Sequence, residues 1–410
     1  MPKTESARPL PSGWRRAKLG EVVAEALPGF ACGERDPKGV VQLRMNNVDR
    51  RGRIVLEAFL RVPADEEMVA RYRLAPGDVM FNNTNSTELV GKTALFTGFS
   101  EPVVFSNHFT RLRAAKGLEP AFLAWWLLQQ WQRKVFESVC NRWVGQSAVK
   151  NDKLLGLVLP LPPLPEQRRI AGILSEQMQE VEKARKATEA QLEAARALPA
   201  AYLRGVFDSK EAKKWPRKRL DEVCEIQLGK MLSPKSKTGL HPRPYLRNQN
   251  VQWDAFDLGD VSEMDFSERE AAKFALRTDD LLVCEGGEPG RAAVWQGEIE
   301  PCYYQKALHR LRPLNGGVDS HFLMYRLWYG AARREFAESQ TGATIAHLPA
   351  VRLAALELGV PDIRVQLGIV ARVKALMVDA VGIAQDVEDR LGEVDKLPAA
   401  LLRTAFLGEV

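Results

Sequence analysis

"LPAAYLRGVF" runs from Leu198 to Phe207, and "LPAALLRTAF" runs from Leu397 to Phe406. Seven of the ten positions match at a fixed offset of 199 residues. Both phrases are rich in helix formers, and both close a stretch of more than thirty residues with few turn signals. A helical phrase written at the middle and again near the end of 410 residues raises the question of a wider duplication.

Six further matches follow in the same order, at offsets between 197 and 203. "WRRAKLGEV" (14–22) answers "WPRKRLDEV" (215–223), and "LRMNNV" (43–48) answers "LRNQNV" (246–251). "GDVMF" (77–81) answers "DDLLV" (279–283), and "GKTALF" (91–96) answers "GRAAVW" (290–295). "FTRLR" (109–113) answers "LHRLR" (308–312), and "VGQSAV" (144–149) answers "TGATIA" (341–346). The chain is a tandem duplication of about 200 residues.

Each copy opens with some 150 residues of short β-like runs, turn signals and a few amphipathic helices, which predicts a compact α+β globule. Each closes with a long helix, so the expected segments are 1–163, 164–207, 208–361 and 362–410. Pro165 suits a first helical position, with Glu166 at the positive end of the dipole. The seam in the first helix is Ile170, Leu174, Val181, Ala184, Leu192, Ala195 and Leu198. In the second it is Ile369, Val373, Leu376, Ala380, Ile383, Val387, Leu391, Val394 and Leu397. Their spacing predicts that the helices pack on each other as an antiparallel coiled coil with pseudo-twofold symmetry. Pro199 and Pro398 predict a kink or restart near each helix end.

The net charge is +6, and residues 1–165 carry 23 Lys and Arg against 16 Asp and Glu. Between 210 and 247 there are 11 basic and 4 acidic residues; between 254 and 300 there are 4 and 13. A basic balance invites a nucleic-acid reading, although a charge run alone more often marks a solvated face. The five scattered cysteines, never in CxxC spacing, argue for a reducing cytoplasm and against a zinc site. No apolar run is long enough to span a bilayer, so no membrane partner is expected.

Catalytic signatures fail on inspection. "VGKT" (90–93) resembles the tail of a phosphate-binding loop, but Ser86 stands where that motif needs glycine. The five histidines show no ligand spacing, and no Ser-His-Asp group or supported carboxylate pair is present. The Asn/Asp-Pro-Pro-aromatic tetrapeptide and glycine-rich turn of adenine methyltransferases are missing. The sequence therefore predicts a non-enzyme with no catalytic residues, no metal and no cofactor of its own.

Two globules, each followed by a long helix, with "LPLPPLPEQRRI" (159–170), its weaker copy "LGVPDIRVQLGIV" (358–370) and the ends "LRGVF" and "LRTAF", resemble the specificity subunit of type I restriction–modification systems. The resemblance covers the whole chain, with Arg364 and Val365 departing from Pro165 and Glu166. It implies that each globule is a target-recognition domain reading one half of a split DNA site. It also implies that the helices fix the spacer, and that two modification subunits carrying S-adenosylmethionine dock here, joined by restriction subunits. From Glu166 to Leu198 is 33 residues, or roughly 50 Å of helix, which suits an unread spacer of about 6–8 base pairs.

Duplication also sorts candidate contacts. Positions shared by both copies serve scaffold or phosphate contact, since the half-sites differ; differing loop positions are candidates for base readout. Arg44 and Asn47 pair with Arg247 and Asn250 as shared positions; Arg111/Arg310 and Arg113/Arg312 are shared too, and within a strand-like "RLR" they fit an interior or ion-paired place as well as a phosphate contact. Among differing positions, the first copy offers Asn82, Asn83, Asn85, Lys92, Asn107, His108, Arg142 and Gln146. The second offers Lys230, Lys235, Lys237, Arg243, Arg291, Gln305, Lys306 and Thr344. Two rivals share parts of this pattern. A standalone DNA-binding protein would normally show a helix-turn-helix and dimerise, and a pure coiled-coil adaptor would not need two elaborated globules.

Overall fold

A computed structural model describes residues 10–233, 238–336 and 347–408. The chain divides into two compact units, 1–189 with 389–410, and 190–388. Both long helices are shared out by that division. The helix Leu164–Phe207 starts in unit one and ends in unit two, and the helix Ile363–Phe406 does the reverse.

Unit one is built on a four-stranded antiparallel sheet in the order Val23–Pro28, Phe109–Ala114, Val79–Asn82, Thr93–Leu95. A three-stranded mixed sheet, Leu60–Val62, Val40–Leu43, Val103–Phe105, lies beside it. Arg15–Lys18 pairs with Val158–Leu161 at the entry to the long helix. The helix Pro120–Gln132 carries the apolar run "FLAWWLL", and Phe122, Leu123 and Leu127 are fully buried in the core against Val79, Phe81 and Leu112. That core also takes Ile170, Ala171 and Leu174 from the start of one long helix and Leu402 and Ala405 from the end of the other. Phe406 meets Phe122 edge-on at 5.2 Å.

Unit two repeats this plan. Its four-stranded sheet runs Cys224–Leu228, Leu308–Pro313, Leu281–Cys284, Ala292–Val294, and its mixed sheet runs Ser262–Asp265, Pro242–Leu246, Tyr303–Tyr304. The helix Ser320–Ala332 occupies the place of Pro120–Gln132. Its core takes Leu203 and Val206 from the end of the first long helix, and Val373 and Met377 from the second. The fold is thus α+β, with two long helices, as the sequence predicts.

Two expectations about the helices need correction. Each runs unbroken for 44 residues with its proline inside, so of the kink or restart expected at Pro199 and Pro398 the restart does not occur. A missing amide donor leaves one carbonyl unbonded, but Ala195, Leu203 and Val206 are buried around Pro199, so tertiary packing holds the helix through it. The seam also differs by one position in part of the second helix. Val373, Met377, Ala380 and Val387 are buried, whereas Leu376 is half-buried and Ile383 is 46% exposed. Steps of four-then-three and three-then-four both fit an apolar-rich helix, and the observed phase takes Met377 and Ala384 inward. Ile170, Leu174 and Leu192 are buried as expected; Val181, Leu198, Ile369 and Leu391 are half-buried, and Ala184 and Leu397 are exposed.

Candidate nucleic-acid interface

Of the shared positions, the two asparagines and the strand arginines serve the scaffold. Asn47 is buried, donating from Nδ2 to the carbonyls of Val55 (2.9 Å) and Ala58 (2.8 Å) and accepting from the Arg44 amide at 3.0 Å. Asn250 does the same with Asp257 (2.8 Å), Asp260 (2.9 Å) and the Arg247 amide (2.9 Å). Every polar atom of both amides is used internally, which removes Asn47 and Asn250 from the candidate DNA contacts. Arg111 and Arg310 are buried against Glu25 and Glu225, each at under 3 Å, and Arg113 and Arg312 hold Asp78 and Asp280 at 2.7 Å.

Burial corrects three more. Asn82 is fully buried, donating to the carbonyls of Thr84 and His108 and accepting from Asn85. Lys92 is buried with its ammonium on the carbonyls of Met45 and Val48, and desolvation lowers its pKa. Lys230 is buried, donating to the Asp265 carbonyl (2.5 Å) and Glu270 (2.8 Å) above the Phe266 ring. Arg291, at the place of Lys92, likewise donates to the Asn248 carbonyl at 3.0 Å and pairs with Glu288. These cations pin turns of the fold.

What remains gathers at one end of each globule. In unit one, Asn83 hydrogen-bonds Thr84 and Thr110, its amide donates to the His108 carbonyl, and Thr84–Asn85 pairs with Gln146–Ala148. This joins the segments 82–87, 106–108 and 141–150 into one face that presents Asn107, Arg142 and Gln146 to solvent, with Asn83, Asn85, His108 and Arg44 half-buried. Desolvation, and secondarily the Arg44 charge, lower the His108 pKa and favour the neutral imidazole. Among the described residues Arg142 is tethered only to the Glu137 carbonyl, at 2.8 Å.

In unit two, backbone bonds join Lys230 to Tyr304 and Lys306, and Asn248 reaches Gly286. Half-buried Gln305 and exposed Lys306 sit on this face. A few ion pairs tie the basic stretch to the acidic one: Arg243 holds Glu268 at 2.6 Å, besides the Tyr303 hydroxyl at 2.8 Å, and Arg247 holds Asp260 at 2.9 Å. Asp265 accepts from the amides of His241 and Gly239 and from Thr238, which holds its pKa at about 2 and secures the segment 238–241. Lys235, Lys237 and Thr344 lie outside the described residues.

One pair escaped the sequence reading. Gln167 and Gln366, an offset of 199, are both fully buried at the starts of the long helices. Gln167 donates to the carbonyls of Gly117 (3.0 Å) and Pro162 (2.9 Å) and accepts from the Glu119 amide (2.9 Å). Gln366 donates to Gly317 (3.2 Å) and Pro361 (2.8 Å) and accepts from Asp319 (2.9 Å). The glutamine of "LPPLPEQ" thus locks each long helix to the helix of its globule.

Among the described residues there is no cluster of potential metal ligands, and no helix is long and apolar enough to cross a membrane. Residues 66–193 match the family model "Type I restriction modification DNA specificity domain". The putative type I restriction enzyme MjaX specificity subunit of Methanocaldococcus jannaschii is 25% identical, over 98% of this chain and 95% of its own length. The type I restriction enzyme EcoKI specificity subunit of Escherichia coli is 23% identical, over 99% and 91%. The fold matches the HsdS subunit of Thermoanaerobacter tengcongensis with a TM-score of 0.62 at 23% identity, over 99% of this chain and all of that one. Part of the chain thus matches the type I restriction–modification DNA specificity domain, and nearly its whole length is similar to specificity subunits of type I restriction enzymes, which supports a DNA sequence-specificity function.

Proposed function

We propose that each globule reads one half of a bipartite DNA target, and that the two long helices run antiparallel about a pseudo-twofold axis to set the unread spacer. Two modification subunits, which carry the S-adenosylmethionine, dock on this frame, and restriction subunits join that core. The observation that carries the reading is the makeup of the units. Each contains a complete globule, the start of its own long helix and the end of the other. Such an exchange fixes the helix length between two similar folds, as a ruler requires.

The test is insertion. Four residues added after Ala187 lengthen the helix by about 6 Å and overshoot a full turn by about 40°. A base pair advances about 3.4 Å, so the spacer recognised by the chain with its modification subunits should grow by one or two base pairs while both half-sites stay the same. Methylation profiling of DNA reads all three. An active variant with an unchanged spacer rejects the ruler, and methylation without a discrete bipartite site in the parent complex rejects the reading itself.

A further inference from the structure

The strands Asn141–Trp143 and Gln146–Ala148 form a hairpin that turns over Val144 and Gly145, the latter at φ +75°. Its root is firm. Ser147 is buried, pairs with Asn85 in the sheet and shares a 2.7 Å hydrogen bond with Thr87. Its tip is apolar and bare: Trp143 is 59% exposed and Val144 wholly so. The other eight tryptophans are buried or half-buried, and the Trp143 ring has no stacking or hydrogen-bond partner among the described residues. Apolar surface held out in water by a well-rooted ribbon marks a contact.

Charge and dimensions point to the occupant. Arg142, Lys150 and Lys153 are exposed on and beside the ribbon, against Asp152 alone within 141–153. An arm of three residues reaches about 10 Å. The major groove of B-form DNA is about 12 Å wide and 8.5 Å deep and admits a two-stranded ribbon. Among the base edges exposed there, the apolar group is the C5 methyl of thymine.

We propose that the Trp143–Val144 tip enters the major groove of the half-site bound by unit one and reads a thymine through its C5 methyl. This makes both residues specificity determinants, and it rests on the DNA-specificity reading above. Asn107, Arg142 and Gln146 on the same face supply polar contacts around that apolar one, and the flanking cations meet phosphates.

The experiment uses the chain assembled with its modification subunits and a duplex bearing its mapped target. Each thymine of the target is replaced in turn by deoxyuridine, which removes only the methyl, and the Kd is measured at fixed salt. One or two positions, confined to the half-site that globule exchange assigns to unit one, should bind more weakly by about four-fold per methyl. In the Trp143→Ala/Val144→Ala variant, thymine and deoxyuridine at those positions should bind equally, with an unchanged melting temperature because both side chains are exposed. A half-site without thymine, tolerance of deoxyuridine throughout, or a methyl effect that survives in the variant overturns the proposal. So does a variant that loses its modification subunits but keeps the methyl effect. A parent complex that recognises no bipartite target rejects the underlying reading instead.

Discussion

The turn after Asn47 in unit one and the turn after Asn250 in unit two occupy the same place and are held by different chemistry. The first spans the bridge from Val48 to Ile54, the second the hairpin from Val251 to Phe256. Both reach a left-handed residue, Gly52 at φ +75° and Asp254 at φ +58°. Both also press on the same position of the globule's main helix. A Cβ on Gly52 would meet Leu128 at 2.9 Å, while Trp253 stacks on Trp328 at 5.0 Å and 7°.

Beyond that point they part. In unit one Arg53 reaches Glu182 at 2.6 Å, and Arg51 reaches Glu182 at 3.8 Å and Asp395 at 3.2 Å. Arg185 completes the cluster on Glu182 at 3.2 Å. In unit two the ring stack takes over, with Tyr325 donating to Asp254 at 3.1 Å. The position equivalent to Glu182 is Val381, which is exposed. Duplication preserved the backbone path and left the chemistry that secures it free to change.

The shared anchors give the sharpest test of equivalence. Gln167→Ala and Gln366→Ala each leave two carbonyls and an amide without their partner, so each should cost about 2–4 kcal/mol. The two losses, read by urea unfolding, should agree; a large inequality would break the equivalence of the units. Trp253→Ala should follow at about 2–3 kcal/mol, since its ring is half-buried, and should be insensitive to salt.

Glu182→Gln should cost about 1–2 kcal/mol at low salt and less at 1 M. Burial alone would raise the Glu182 pKa, but the bonds from Arg185 and Arg53 hold it at about 2, below its ordinary 4.5. The depressed value means the stabilisation is full above about pH 4.5 and is lost as the pH falls through 2. The difference between parent and variant melting temperatures should narrow over that range. A salt-independent loss at Glu182 would erase the contrast between the two turns.

Asp254→Asn should give the smallest effect, and the opposite sign. Burial raises the Asp254 pKa despite the Tyr325 hydrogen bond, so its ionised form disfavours the folded state at neutral pH. The amide keeps an acceptor for Tyr325 and tolerates positive φ. A gain of about 1–2 °C in melting temperature is expected at pH 7, vanishing below the ordinary carboxylate pKa.

The duplication was legible because the two copies retain the residues that build the same buried scaffold, down to Asn47 and Asn250. The anchor at Gln167 was not, because one glutamine within the dissimilar "PEQ" and "RVQ" raises no signal above the noise. Asn82 and Lys92 were sorted to the surface by residue type, which carries no information about burial once a polar group can find carbonyls inside. The face that joins 82–87, 106–108 and 141–150 depends on pairing across more than sixty residues, between Thr84 and Ala148 among others. No local pattern encodes that.

The composition of unit one bears on how the chain is made. Its core waits for Leu402 and Ala405, more than two hundred residues after Leu174. At about 5–20 residues per second on the ribosome, the globule that emerges first stands open for roughly 10–40 s before the piece that closes it exists. Unit two, from 190 to 388, is contiguous and can close as it emerges. The order of synthesis and the order of completion are therefore reversed. A nascent-chain pulse should find the Phe122–Leu127 surface protease-sensitive until the last helical turns have left the exit tunnel.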